Sequence, residues 1–245
     1  MRLGIVSDIH GNLEALEATF EVLGEVDGLL CPGDVVGYGP DPEACCELLR
    51  SRECVTVLGN HDAAVVQLTD IDWFNAIARE AVLWTSEVLP DRDIDYLKGL
   101  PLTYWSDEFV MVHGSLDSPI DFSYIYSSGP ARQCFAEMKD YCLCFVGHTH
   151  VAEVYIQQMG TQAVDQLSLA QGGTLDLRPG FRYIVNCGSV GQPRDGEPKA
   201  CCGIYDSDRN TVQIIRAPYD IAAVQKRIRE AELPDTLATR LETGT

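Results

Sequence analysis

Residues 3–12 join a short apolar run to a polar turn and read Leu3-Gly4-Ile5-Val6-Ser7-Asp8-Ile9-His10-Gly11-Asn12. The apolar run predicts a buried strand. Asn12 is a suitable helix N-cap. Apolar side chains then recur at helical spacing, at Leu13, Leu16, Phe20 and Leu23. The segment therefore predicts a strand, a polar turn and a helix, in that order.

The same succession repeats twice in the first third of the chain. Residues 28–31 form an apolar run that ends in Pro32-Gly33-Asp34, and residues 41–51 have a helical pattern. A third run, residues 55–58, ends in Gly59-Asn60-His61-Asp62. Strands that alternate with helices predict an α/β fold with a buried parallel sheet.

The later sequence contains no repeat, linker or clear domain boundary, so we expect one domain over residues 1–245. Residues 63–100 predict a mainly helical insertion, in which the aromatic stripe that includes Trp73, Phe74 and Trp84 is expected to pack as helix core. The pattern is rich in strands to about residue 216, and a helix is predicted over 219–231. Residues 234–245 are expected to form a polar, frayed tail.

Composition and charge exclude several classes of protein. The 245 residues include 18 Lys and Arg against 37 Asp and Glu, a net charge of −19. Because duplex nucleic acids and anionic membranes attract basic surfaces, we expect neither as a partner. No apolar stretch approaches the ~20 residues of a spanning helix. The short first run, which soon meets Asp8, is unlike a signal peptide, so we expect a cytoplasmic protein.

The ten cysteines do not have the spacing of a disulfide framework or a zinc site. Two pairs are adjacent in sequence, Cys45-Cys46 and Cys201-Cys202, and no C-x-x-C motif occurs. In a cytoplasmic chain of this size, such cysteines are expected to act as small buried hydrophobic residues.

Five apolar runs end in polar residues beside glycine or serine. In open α/β sheets, ligands bind beyond the carboxyl ends of the strands, so these endings should converge in space. All five histidines of the chain lie in them, together with two aspartates and an asparagine: His10, His61, His113, His148, His150, Asp8, Asp34 and Asn60. Imidazole, carboxylate and amide groups suit Mn, Fe or Zn. Eight such groups exceed the needs of one tetrahedral site, and they favour two divalent metal ions about 3.5–4 Å apart.

The order of these endings resembles that of the calcineurin-like metallophosphoesterase superfamily. The matching motifs are Asp8-Ile9-His10, Gly33-Asp34, Gly59-Asn60-His61-Asp62, His113 and Gly147-His148-Thr149-His150. Residues 186–194 are also similar to a strand-end segment of the smaller bacterial members. The resemblance implies a two-sheet β-sandwich flanked by helices in four layers. It also implies hydrolysis of phosphoester bonds, with a leaning toward phosphodiesters and aryl phosphates.

The resemblance also implies a role for each motif residue. Asp8, His10, Asp34 and His150 would hold one metal ion, and Asp34, Asn60, His113 and His148 the other. A hydroxide between the two ions would be the nucleophile, and manganese is our first choice of metal. His61 would not bind metal. It would assist the leaving oxygen or the phosphoryl group, and we expect it to titrate near neutral pH.

The sequence departs from the protein phosphatases of this superfamily in one place. Those enzymes have an Asp-Arg pair where this chain has Gly37 and Tyr38. His61 therefore needs another partner to orient it, and the phosphate needs another donor. Tyr38 is a candidate for either role, and Arg194 is a candidate for binding phosphate.

Two other functions compete with a dinuclear phosphoesterase acting on a small phosphoester such as a nucleotide. One is an inactive scaffold of the same fold that binds partner proteins. The other is a hydrolase with one zinc ion on an unrelated fold. The sequence makes no prediction of oligomeric state.

Overall fold

The computed structural model describes all residues, Met1–Thr245, and contains twelve strands and eight α-helices. The strands are β1 (Arg2–Ile5), β2 (Gly28–Cys31), β3 (Val55–Thr56), β4 (Thr103–Trp105), β5 (Val110–Val112), β6 (Leu143–Val146), β7 (Ala152–Gln158), β8 (Val164–Ser168), β9 (Gly173–Asp176), β10 (Phe181–Cys187), β11 (Ala200–Asp206) and β12 (Thr211–Ala217). The helices are α1 (Leu13–Leu23), α2 (Pro42–Ser51), α3 (Asn60–Val65), α4 (Ala76–Val88), α5 (Asp91–Lys98), α6 (Ser128–Glu137), α7 (Ile221–Glu230) and α8 (Asp235–Thr239).

The strands form two mixed sheets of six strands each. Their orders are β3-β2-β1-β11-β12-β9 and β4-β5-β6-β10-β7-β8. Within the first sheet β1, β2 and β3 are parallel, and within the second β5, β6 and β10 are parallel. The polar endings predicted from sequence therefore follow the parallel strands of both sheets.

The two sheets pack face to face and carry helices on their outer faces. Ile5 of the first sheet and Met111 and Phe145 of the second belong to one buried cluster between the sheets. A second cluster joins the first sheet to α1, α2 and α5, and a third joins the second sheet to α6. This is the predicted β-sandwich flanked by helices. All ten cysteines are free and eight are buried, in agreement with the prediction.

Local sequence signals explain where the first helix begins. The side chain of Asn12 accepts a hydrogen bond from the backbone N–H of Ala15 at 3.1 Å, which satisfies one of the free donors at the helix N-terminus. Leu16, Phe20 and Leu23 are buried on one face of α1. Capping and apolar spacing together fix this helix directly after the first polar turn.

The structure differs from the sequence-based expectation at two places. Trp73 and Phe74 precede α4 instead of lying on it, and Trp73 is exposed. The tail expected over 234–245 is folded into α8 and a 3₁₀ turn, Arg240–Glu242. The prediction of a frayed tail was wrong because Leu237, Ala238 and Leu241 are buried, in a cluster with α7. None of the helices combines the length and apolarity that spanning a membrane requires.

Candidate metal centre

Turns after five parallel strands bring the candidate ligands to one place. Asp8 follows β1 and Asp34 follows β2, while Asn60 begins α3 just after β3. His113 directly follows β5, and two histidines follow β6. All seven predicted ligands are at most 4% exposed: Asp8, His10, Asp34, Asn60, His113, His148 and His150. The fold thus gathers the predicted ligands in the protein interior.

One group of ligand atoms comes from Asp8, His10, Asp34 and His150. These atoms all lie within 4.8 Å of one another and could hold a metal ion. The Nε2 atoms of His10 and His150 are 3.1 Å apart, and His150 Nε2 is 3.3 Å from an oxygen of Asp8. This is the set that the resemblance implies for the first ion.

A second group comes from Asp34, His113 and His148, and it also lies within 4.8 Å. His113 Nε2 is 3.2 Å from His148 Nδ1 and 3.0 Å from the side-chain oxygen of Asn60. Asn60 thus places an amide oxygen beside this group. Asp34 belongs to both groups, as a residue shared by two ions would.

The two oxygens of the Asp34 carboxylate have different surroundings. Oδ1 accepts a hydrogen bond from the backbone N–H of His61 at 2.9 Å. Oδ2 is buried and has no hydrogen-bond donor, although it lies 3.6 Å from His10 Nε2 and 3.3 Å from His113 Nε2. An unpartnered buried carboxylate oxygen is unfavourable unless a cation compensates it. The donor set therefore fits metal ions on both sides of Asp34.

Backbone carbonyls determine which ring nitrogen of three histidines is free. His10 Nδ1 lies 3.1 Å from the carbonyl of Val36, His113 Nδ1 lies 2.8 Å from that of Pro32, and His150 Nδ1 lies 2.6 Å from that of Gln192. A carbonyl only accepts, so each Nδ1 must carry the proton. In the neutral imidazole the lone pair is then on Nε2, which faces the site and is free to bind a metal.

Burial and nearby carboxylates set the charges of these imidazoles. Burial lowers the pKa of His10, His148 and His150 well below the usual value, so these rings are neutral, as metal ligands are. Burial also acts to lower the pKa of His113, but the carboxylates of Asp34 and Asp8 outweigh it and raise that pKa to about 9. In the metal-free chain the protonated His113 therefore supplies positive charge beside Asp34, and it must lose its Nε2 proton before that nitrogen can bind a metal ion.

Five of the seven ligand residues have a left-handed backbone. The φ angles of Asp8, His10, Asp34, His148 and His150 are 51°, 48°, 54°, 70° and 60°. Residues other than glycine seldom adopt this conformation, and where they do it often accompanies a functional site. Hydrogen bonds between the turns maintain it, including Asp8 N–H to the Gly33 carbonyl and His10 N–H to the Asp34 carbonyl, both 3.0 Å.

His61 lies beside the two ligand groups, and packing holds its ring. Its ring centroid lies 4.3 Å from that of Tyr38, 4.9 Å from that of His10 and 5.1 Å from that of Phe74. A Cβ atom at Gly37 would lie 2.6 Å from His61 Nδ1, so the glycine leaves room for the ring. Nδ1 is buried and has no hydrogen-bond partner. Aromatic contacts, and not a hydrogen bond to a carboxylate, therefore orient His61.

Comparisons with known proteins agree with this geometry. The family model for the calcineurin-like phosphoesterase superfamily domain matches residues 1–210. The chain belongs to the calcineurin-like phosphoesterase superfamily. Members of this superfamily are phosphoester hydrolases that use divalent metal ions, and the present chain is a phosphoester hydrolase.

Similar proteins match the chain over nearly its full length. The crystal structure of a metallophosphoesterase from Sphaerobacter thermophilus has 41% identity and a TM-score of 0.89, and the match covers 100% of this chain and 99% of that one. An uncharacterized protein of Methanocaldococcus jannaschii is 33% identical, over 99% of this chain and 98% of its own. A hypothetical protein from Pyrococcus horikoshii has the same fold, with 20% identity and a TM-score of 0.79, over 100% of this chain and 98% of that one.

Tyr38 and Arg194, the two substrate-binding candidates of this phosphoesterase, lie together at the edge of the site. The Tyr38 ring lies 4.7 Å from that of His10, between centroids. Arg194 places its guanidinium 5.8 Å from the centre of the Tyr38 ring, and its Nη2 donates to Gln192 Oε1 at 2.9 Å. The fold therefore brings both candidates next to the ligand groups.

One expectation about this superfamily member needs correction. We expected His61 to titrate near neutral pH, but burial outweighs the attraction of Asp34 and lowers its pKa to about 4. The ring is therefore neutral at pH 7 in the chain without substrate. A neutral imidazole still has one N–H donor.

Four further side chains lie near the centre of this phosphoesterase. Phe74 packs on His61, and Tyr124 stacks on His148 with centroids 3.7 Å apart. Gln192 bonds Arg194 through its side chain and His150 through its backbone carbonyl. Arg240 donates to the same side-chain oxygen of Gln192 at 3.0 Å. The sequence predicted Phe74 only as helix core and Arg240 only in a polar tail, so no local signal pointed to either residue at the centre.

Proposed function

We propose that this chain is a dinuclear metal-dependent hydrolase of small phosphoesters. The single observation that carries the proposal is the buried, unpartnered Oδ2 of Asp34, which lies between two groups of ligand atoms. A shared carboxylate between two nitrogen-rich groups is the arrangement that a pair of divalent cations requires. A cytoplasmic location remains a prediction of the sequence.

In this proposal, the two groups of ligands hold one ion each. Asp8, His10, Asp34 and His150 bind the first ion. Asp34, Asn60, His113 and His148 bind the second, and manganese remains our first choice. When bound, two divalent ions lower the pKa of a coordinated water and neutralise phosphate oxygens. The chain supplies the ligand geometry, the exclusion of water by burial, and the donors that face the substrate.

His61 and Arg194 are the donors that we assign to the substrate. His61 lies against His10 and Tyr38 and donates its N–H to the leaving oxygen or to the phosphoryl group. Arg194 binds a phosphate oxygen through charge-assisted hydrogen bonds, since its Nε is buried and has no partner. Tyr38 supports both residues, because its ring packs on His61 and its hydroxyl lies 3.5 Å from Arg194 Nη2.

Metal analysis tests the dinuclear proposal. We expect about two metal ions per chain after incubation with Mn²⁺, and we expect a chelator to abolish hydrolysis of a chromogenic phosphodiester or phosphomonoester, with recovery on addition of Mn²⁺. Elemental analysis and a panel of phosphoesters provide the two measurements. A single ion would favour a mononuclear hydrolase. Two ions without any hydrolysis would favour the alternative, a scaffold that binds partner proteins.

Removal of the Arg194 guanidinium tests its assignment to phosphate. Arg194→Ala should lower kcat/KM by about 10- to 100-fold, because a charge-assisted hydrogen bond to an anion is lost, while the metal content stays at the wild-type value. Steady-state kinetics and elemental analysis measure both. Arg209→Gln is a matched control, because Arg209 is exposed and distant from the site in sequence and fold. Unchanged kinetics in Arg194→Ala would exclude the role.

A further inference from the structure

Two guanidinium groups meet on one buried amide oxygen beside the candidate metal centre. Arg194 Nη2 and Arg240 Nη1 donate to Gln192 Oε1 at 2.9 Å and 3.0 Å. Gln192 itself is only 2% exposed. Two positive charges therefore share one neutral acceptor in a protein whose net charge is −19.

No acidic side chain compensates this pair. Seven other arginines pair with an Asp or Glu, but neither Arg194 nor Arg240 does. In their remaining contacts Arg194 faces the Tyr38 ring, and Arg240 Nε donates to a main-chain oxygen of Thr245. Burial and the charge of Arg194 lower the pKa of Arg240. Like charges held this closely are unfavourable until an anion lies between them.

A cavity next to the pair provides space for such an anion. Its volume is about 820 Å³, and Tyr38 and Arg240 both line it. The N-terminal residues of α4, Asn75–Ile77, form another part of its wall, where the free backbone N–H groups of a helix favour negative charge. Since Tyr38 also packs on His10 and His61, the Tyr38 ring lies between the cavity and the candidate metal centre.

We propose that Arg240, together with Arg194, binds a second phosphate group of the substrate. The inference rests on the proposed function, in which the metal ions and Arg194 hold the phosphate that reacts. It specifies the substrate class as phosphoesters or phosphoanhydrides with at least two phosphate groups. Arg240 then determines specificity for the substrate. The folded C-terminal segment places Arg240 beside the site.

Binding of inorganic phosphate in EDTA tests the pair without any metal. By isothermal titration calorimetry, Arg240→Gln should bind phosphate about 10- to 100-fold more weakly than the wild type, as expected for a lost charge-assisted contact. Arg240→Lys should recover part of the affinity, and Arg209→Gln should match the wild type. Equal affinity in the wild type and in Arg240→Gln would overturn the proposal, as would an absence of binding.

Competitive inhibition of the metal-loaded enzyme tests the preference for a second phosphate. With p-nitrophenyl phosphate as substrate and buffered free Mn²⁺, pyrophosphate should inhibit the wild type at least about 10-fold more strongly than phosphate, and Arg240→Gln should reduce this ratio by about 10-fold or more. An unchanged ratio would overturn the inference. If the metal-loaded enzyme hydrolyses no phosphoester, the proposed function fails instead. The calorimetry in EDTA still tests whether the arginine pair binds phosphate.

Discussion

Replacement of Asp34 by asparagine should remove both metal ions from the chain. The substitution keeps the shape of the side chain but removes the charge that both ligand groups share, and it leaves a neutral amide between His10 and His113. Loss of a residue that only supports a metal ligand costs about 10- to 100-fold in affinity or activity. Loss of a shared ligand should therefore lower hydrolysis by more than about 100-fold, with fewer than one metal ion per chain by elemental analysis.

Two controls separate this effect from a loss of folding. Asp208→Asn makes the same chemical change at a residue that is 84% exposed, and it should retain both ions and full activity. Circular dichroism should find Asp34→Asn folded, because the backbone N–H of His61 can still bond the side-chain oxygen of the amide. If Asp34→Asn retained two ions and normal turnover, the dinuclear assignment would be incorrect.

Removal of the His61 imidazole should reduce turnover without loss of metal. His61 contacts no ion in the proposal, so His61→Ala should keep about two metal ions per chain. Its turnover should fall by about 10²- to 10⁴-fold, the range for a lost donor or general acid. The decrease should be larger for an alkyl phosphoester than for a p-nitrophenyl ester, because p-nitrophenolate leaves readily without a donor.

The dependence on the leaving group distinguishes a role in the reaction from a role in packing. His61 fills space among Tyr38, Phe74 and His10, so its truncation creates a cavity. His61→Gln fills part of that cavity, and it should show the same dependence on the leaving group as His61→Ala. Loss of metal in both variants would refute the assignment, and an equal decrease for both classes of ester would exclude donation to the leaving oxygen.

Much of this centre could be predicted because its ligands follow strands. Each apolar run was recognisable, and parallel strands end at the same edge of a sheet, so Asp8, Asp34 and Asn60 had to converge. The third run was predicted over residues 55–58, but β3 contains only Val55 and Thr56. Val57 N–H still donates to the Cys31 carbonyl, and Gly59 then passes the Asp34 carboxylate so closely that any Cβ atom would collide with it.

The residues around the ligands were harder to predict, because they depend on tertiary packing. Tyr38 was a candidate partner of His61 and does pack on its ring, but Phe74 also reaches that ring, from the loop before α4. Arg240 lies 48 residues from Gln192 in sequence. It follows α8, which is only five residues long, and so short a helix carries almost no periodic signal. Neither contact has a pattern that a single sequence could reveal.

The left-handed turns that carry the ligands have a further consequence for how the enzyme gains its ions. Backbone hydrogen bonds from neighbouring turns, such as Gly191 N–H to the Asp8 carbonyl and Arg194 N–H to the His150 carbonyl, hold these turns in place. The conformational energy of these left-handed residues is compensated by the surrounding structure when the chain folds. We therefore expect the turns to keep their conformation when metal is removed, so that one metal ion can replace another without unfolding of the chain.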